Sequence, residues 1–249
     1  MGHKRNGVNK MILPTQPSAR VAALLAEMKS IARARLIFAL DATASREAMW
    51  DMACQLQSAM FEETAKIGGL EIQLLWYRGQ NECSHTAWTT DAQDLAAQMR
   101  RIRCEAGTTQ IGRVLKHVRA EHAQGKVSAA IFVGDAVEEK PGELYDAATG
   151  LGVPCFLFQE GDGLAIYVDQ RGEFVEHPTQ KVETIFRELA RLANGAYGKF
   201  DAGAAKQLGE LLRAVAVFAT GGLTALTNLR TDSARKLLGQ LKCFQHKET

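Results

Sequence analysis

The chain has 249 residues, with 30 Lys and Arg against 28 Asp and Glu and a formal net charge of +2. Near neutrality leaves no electrostatic footprint for nucleic acid, and 46% hydrophobic residues suffice for one domain of ordinary to large size with a full core. The five cysteines (Cys54, Cys83, Cys104, Cys155, Cys243) are odd in number, scattered and without a C-x-x-C pair, which argues for reduced, structural thiols in a reducing compartment.

Taken in chain order, residues 1–16 are polar, with Gly7 and Pro14, and read as a loose tail. No apolar signal region follows Lys4 and Arg5, and Asn6 stands where an N-myristoylation pattern needs Ser or Thr. The expectation is a cytoplasmic protein with no signal peptide and no membrane span. Apolar residues at helical spacing predict a helix over 18–31. Residues 36–40 form a buried strand, 45–66 a long helix ended by Gly68-Gly69, and 71–77 a second strand. A short strand over 83–89 returns antiparallel, and helices follow over 91–103 and 110–123, joined by the loop 105–109. Residues 128–133 form a strand closing on Gly134-Asp135, then come a short helix over 142–149 and a strand over 153–158. Residues 164–169 and 173–176 flank Gln170-Arg171-Gly172 as an inserted hairpin near 163–177. A helix over 179–192, a strand over 196–200 and a helix over 204–218 close the domain; Gly221-Gly222 precedes a C-terminal tail, 221–249, with helical pattern.

Strands alternating with helices imply an α/β fold: a doubly wound, mostly parallel central sheet with helices on both faces and one short antiparallel edge strand. The domain is expected to span 17–220, with an N-terminal helix and the inserted hairpin. In such a sheet ligands bind at the carboxyl edge, near the topological switch point. Three loops are directed there. One carries Asp41, Thr43 and Ser45, the second Thr108 and Thr109, and the third Asp135. Together they offer two carboxylates and several hydroxyls, a set of oxygen donors suited to a hard divalent cation completed by water.

These motifs resemble those of von Willebrand factor A domains carrying a metal-ion-dependent adhesion site. Asp41-Ala42-Thr43-Ala44-Ser45 is similar to the family's Asp-x-Ser-x-Ser, Gly107-Thr108-Thr109-Gln110-Ile111-Gly112 to its second loop, and Phe132-Val133-Gly134-Asp135-Ala136 to its strand ending in Thr-Asp-Gly. The resemblance covers most of the chain from Arg35 to about Phe218. It implies a Rossmann-like fold and a metal site, for Mg²⁺ or Mn²⁺, at Asp41, Thr43, Ser45, Thr109 and Asp135. Thr43 and Ser45 would bind through hydroxyl oxygen, Thr109 directly or through water, and Asp41 and Asp135 mostly through waters. The open position would take an Asp or Glu carboxylate from a protein partner, and a role in a larger complex is implied. Departures are Thr43 for the usual Ser, which stiffens χ1, and Thr108 and Ala136 in place of glycines.

No residue is assigned a catalytic or organic-cofactor role. Gly161-Asp162-Gly163 lacks the third glycine of a dinucleotide loop and reads as a turn; no P-loop or Gly-x-Ser-x-Gly elbow is present. Glu138 and Glu139 read as a solvated loop, Arg100, Arg101 and Arg103 as favourable charge at a helix C-terminus, and Trp76, Tyr77 and Trp88 as packing residues. Cys83 and His85 do not make a zinc site, and His117 and His122 do not share a helix face. Two other readings are carried. In one, a metal-free scaffold uses the fold as a platform. In the other, a Mg-dependent phosphatase-like enzyme is built on Asp41, although Thr43 stands where an acid would have to protonate the leaving group.

Overall fold

The computed structural model describes residues 33–44, 47, 50–53, 69–168, 173–176, 181–201 and 204–245. The expected N-terminal tail, the helix over 18–31, Ser45, most of the helix over 45–66 and the hairpin tip at 170–172 lie outside the described residues. The strands are β1 (Ala34–Asp41), β2 (Leu70–Arg78), β3 (Glu82–His85), β4 (Ala129–Val137), β5 (Cys155–Val168), β6 (Phe174–Glu176) and β7 (Tyr197–Phe200). The helices, numbered in chain order, are α1 (Ala92–Met99), α2 (Ile111–Gln124), α3 (Pro141–Ala148), α4 (Val182–Leu192), α5 (Ala205–Asn228) and α6 (Asp232–Gln245).

The sheet runs in the order β3-β2-β1-β4-β5-β6, and β7 also pairs with β5. β1 is parallel to β2 and β4, and β4 is parallel to β5. β3 is antiparallel to β2, and β6 to β5. The chain moves from β1 outward to β2 and β3, then crosses back to β4 on the other side of β1. The switch point therefore lies between the carboxyl ends of β1 and β4.

Strand alternation divides the interior in two. Leu36, Phe38 and Leu40 of β1 share one core with Trp50, α1, α5 and α6; Ile37 and Ala39 share the other with α2, α3 and α4. All five of these β1 residues are fully buried. Burying a side chain of the size of Leu36 or Phe38 contributes about 1.5–3 kcal/mol, so both faces of β1 hold the fold together. α5 is long and apolar enough by length and composition to cross a membrane. Here Leu208, Leu211, Leu212, Val215 and Ala216 are buried in the first core. Its two halves meet at Gly222, whose φ of 64° breaks the helical path.

β5 departs most from the sequence reading. It is one strand through Gly161-Asp162-Gly163, which form a bulge and not a turn. Gly134 pairs with Gln159, and the next partners are Ala136 and Leu164. Gly161 and Gly163 both have positive φ, 61° and 63°, which lets the strand buckle and rejoin β4. The buried Gln159 fixes the bulge. Its Nε2 donates to Gly161 O (3.1 Å) and Asp162 O (2.7 Å), and its Oε1 accepts from Tyr197 Oη (2.8 Å). β4 consequently runs past Gly134 to Val137.

The free edge of β7 is covered by side-chain amides. Leu157 N donates to Ala196 O, so the parallel register turns the Tyr197 peptide groups away from β5. Gln240 of α6 accepts from Tyr197 N (2.9 Å) and donates to Tyr197 O (2.8 Å), and Gln207 of α5 accepts from Asp201 N (3.1 Å). These amides stand in for a neighbouring strand. At the opposite edge, His85 packs against His117 with ring centroids 4.5 Å apart and the rings tilted by 36°. The buried Gln73 bridges them, 2.8 Å from His117 Nε2 and 3.4 Å from His85 Nδ1. Trp88 Nε1 donates to Glu121 (3.0 Å), and the Arg35 guanidinium lies over the Trp88 ring.

Two predictions follow from these edges. Gln240→Ala should lower unfolding free energy by about 1–3 kcal/mol in urea denaturation, because it strips both partners from the Tyr197 peptide groups; an unchanged midpoint would show that the amide clasp is idle. Burial, and then the nearby His85, lower the His117 pKa below its ordinary 6.5, with Glu121 opposing. The unfolded chain therefore takes up a proton near pH 6.5 that the folded chain takes up only at lower pH. Stability is full above that range and falls as pH drops below about 6.5. The urea midpoint should decline from pH 7.5 to 5.5 less steeply in His117→Gln than in the unaltered protein, and equal slopes would contradict the assignment.

Candidate functional site

Asp41 ends β1 and is only 1% exposed. Its Oδ1 accepts from Thr43 N at 2.8 Å, an Asx turn that bends the chain out of the strand and carries Thr43 with it. Ala42 N donates to Tyr77 O, and Glu105 N to Ala42 O, both at 3.0 Å, so this loop is tied to β2 and to the loop before α2. Thr108 N donates to Gly79 O. A Cβ on Gly107 would lie 2.1 Å from Gly79 O, so a glycine is required where those two loops cross.

The start of α2 is held from outside. Gln110 gives no side-chain cap, and the first turn carries no acid. Instead Glu139 accepts from Ile111 N (2.6 Å) through Oε2 and from Gly112 N (2.8 Å) through Oε1. Glu138 Oε2 accepts from Thr109 N at 2.5 Å, and Glu138 N donates back to Thr109 Oγ1 at 2.9 Å. The loop after β4 thus clasps the helix start with two carboxylates, the charge a helix N-terminus favours. The solvated-loop reading of Glu138 and Glu139 is corrected by these contacts. The signal available in the sequence was the missing local cap at Gln110, beside two consecutive acids after a strand directed to the same sheet edge.

Asp135 does not follow the end of β4, as the sequence suggested, but sits inside the strand opposite the β5 bulge. Gly163 packs over it so closely that a Cβ there would lie 1.9 Å from Asp135 O.

Asp41, Thr43, Thr109 and Asp135 line a single cleft of about 460 Å³, together with Ala44, Ala106, Gly107, Ala136, Glu138, Gly163 and Ile166. Of the predicted site residues, the structure brings these four together from the end of β1, the loop before α2 and strand β4; Ser45 lies outside the described residues. No lysine or arginine is among the described residues lining the cleft. Among the described residues there is also no cluster of three or more His, Cys, Asp or Glu side chains placed to hold a metal ion. The convergent donors are instead a mixture of carboxylates and hydroxyls.

Tyr77 lies beneath these acids, paired in register with Asp41. Its Oη is buried, with the Asp41 carboxylate as its hydrogen-bonding neighbour. Burial first, then the carboxylates of Asp41, Glu139 and Asp135, push the phenol well above its ordinary value. From the sequence alone Tyr77 reads as a packing residue. Burial also raises the Glu139 carboxyl, against the lowering effect of the Gly112 and Ile111 amides.

A second cleft, of about 580 Å³, lies among α4, β7, α5 and α6. Several of its charges are already paired within the chain: Lys199 with Asp162, Arg187 with Glu183 and Asp232 with Arg235. It does not collect acids and hydroxyls from separate loops as the switch-point cleft does.

No family model matches the chain, and no curated protein matches it in sequence. Solved structures do. An aerotolerance-related membrane protein from Bacteroides fragilis NCTC 9343 superposes with TM-score 0.51 at 17% identity, over 72% of this chain and 96% of that one. A von Willebrand factor type A structure from Catenulispora acidiphila superposes with TM-score 0.52 at 12% identity, over 76% of this chain and 43% of that one. The fold is that of a von Willebrand factor A domain. Proximal thread matrix protein 1 from the mussel byssus, described with a zinc-occupied metal-ion-dependent adhesion site, has TM-score 0.50 at 14% identity, over 74% of this chain and 45% of that one. Identities this low establish shared architecture and carry no residue roles.

Gly163→Ala should disturb the cleft directly, since the methyl would strike Asp135 O and the positive φ disfavours any side chain. A loss of about 1–3 kcal/mol is expected in urea denaturation, whereas Gly142→Ala, with nothing within 4 Å, should leave stability nearly unchanged. Equal effects would show that the bulge does not depend on Gly163.

Proposed function

We propose that this von Willebrand factor A fold serves as a protein-interaction module dependent on a divalent cation, Mg²⁺ or Mn²⁺. Asp41, Thr43, Thr109 and Asp135 would hold the cation, with Ser45 completing the motif, and an Asp or Glu of a protein partner would take the remaining position. The observation that carries this reading is the single cleft at the switch point lined by those four residues, with no lysine or arginine among its described lining. Its side-chain donors are all oxygens, the chemistry that hard dications prefer. The buried Tyr77 hydroxyl, turned toward the same carboxylates, adds a polar group beneath the site. Metal occupancy in the mussel byssus neighbour is a property of that protein and is consistent with the proposal.

The chain's own residues would divide the work. The Asx turn from Asp41 to Thr43 N orients the first loop, so Asp41 positions as well as neutralises. Thr109 Oγ1 accepts one hydrogen bond, from Glu138 N, and keeps a lone pair for a further partner. A bound dication would supply an electrophilic anchor that makes one carboxylate contact strong and oriented. No residue is given a catalytic role, and the partner is a protein and not nucleic acid or membrane lipid. A cytoplasmic setting and a larger assembly belong to the same proposal. Cys83, Cys104 and Cys155 form no disulfide among the described residues, and burial pushes Cys155 up to about 12, which keeps it protonated.

Isothermal titration with Mg²⁺ and Mn²⁺ tests the reading. Saturable heats are expected for the unaltered protein and should vanish in Asp41→Ala and Asp135→Asn, with circular dichroism unchanged. Equal heats in all three would remove the cation from the account and leave a metal-free scaffold.

A further inference from the structure

We infer that Glu138 is a built-in competitor for the partner's acid, holding in the free protein the Thr109 amide that an incoming carboxylate would meet beside the cation. The inference rests on the metal-dependent reading above. Among the described residues, Glu138 is the one glutamate in the lining of the cleft that also holds Asp41, Thr43, Thr109 and Asp135. Its neighbour Glu139 has both carboxylate oxygens engaged, one on Ile111 N and one on Gly112 N. Glu138 is engaged through Oε2 alone, on Thr109 N at 2.5 Å, and its Oε1 has no partner among the described residues. The two acids therefore have different jobs. Glu139 caps the helix, and Glu138 presents a half-used carboxylate beside the Thr109 hydroxyl.

Any anion brought to a cation in this cleft meets that carboxylate. Like charges in one small cleft repel, and the Thr109 amide can serve only one strong acceptor. An acid from outside would have to displace Glu138 from Thr109 N, or approach without using that amide. The loop can tolerate the exchange. Glu138 N stays on Thr109 Oγ1 through the main chain, and Glu139 keeps α2 in place. Glu138 would thus set a threshold, admitting only partners whose remaining contacts outweigh the displaced bond.

The test uses the full chain loaded with Mn²⁺, with acetate as the carboxylate probe and water-proton relaxation reporting loss of coordinated water. Glu138→Ala should respond to acetate at a concentration lower by about tenfold, the ratio corresponding to one charge-assisted hydrogen bond. Glu138→Gln keeps an acceptor for Thr109 N but no charge, and should fall between the two. With Mg²⁺ in place of Mn²⁺, the ¹⁵N-resolved Thr109 amide should shift at an acetate concentration lower by about tenfold in Glu138→Ala than in the unaltered protein. Identical acetate responses in all three proteins, each binding Mn²⁺, would overturn the inference while leaving the cation site intact. Absence of Mn²⁺ binding in the unaltered protein would overturn both, and so separates the two failures.

Discussion

Two carboxylates on three backbone amides tie the end of β4 to the start of α2, and the cleft at the switch point takes its shape from that tie. Glu138 and Glu139 reach Thr109 N, Ile111 N and Gly112 N. Each charge-assisted hydrogen bond contributes about 1.5–3 kcal/mol when both groups are sheltered from water. The tie also offsets the lack of any local cap at Gln110. Without Glu139 the first amides of α2 would lose their acceptors, while Thr109 Oγ1 would still be held by the main-chain Glu138 N. With the tie in place, Thr109 faces the same space as Asp41 and Asp135, which two rigid neighbouring strands hold in place.

The rest of the molecule fixes the other walls. β1 is buried on both faces, so Asp41 emerges at a position set by two separate cores. The β5 bulge, held by Gln159 and made possible by two left-handed glycines, lays Gly163 over Asp135. Gly107 allows the loop before α2 to cross the β2–β3 turn at backbone distance from Gly79. Rigid strands with short, cross-braced loops give a preorganised site, which lowers the ordering cost of binding.

The fold was legible because its strongest signals are local and periodic. The apolar run before Asp41, the helix over 110–123 and the strand before Gly134 are each set by nearby residues, and alternation of strand and helix dictates parallel pairing. That Asp41, Thr43, Thr109 and Asp135 line one cleft could be anticipated because the doubly wound topology sends those segments to one edge. Other features depend on contacts that spacing does not encode. The bulge at Gly161–Gly163 requires knowing that β4 and β5 continue past Asp135, so the glycines read as a turn. The roles of Glu138 and Glu139 depend on the approach of α2 from another loop. Tyr77 faces the acids because β2 pairs with β1 in one register, and a shift of one residue would have turned it to the opposite face.

In the proposed site, oxygen donors from Asp41, Thr43, Thr109 and Asp135 would meet around one dication. Anomalous diffraction from crystals grown with Mn²⁺ addresses it most directly. The account expects one strong peak in the switch-point cleft, within bonding distance of hydroxyl oxygen from Thr43 or Thr109 and near Asp41 and Asp135. A cleft holding only water at saturating Mn²⁺, or a peak elsewhere on the surface, would contradict it.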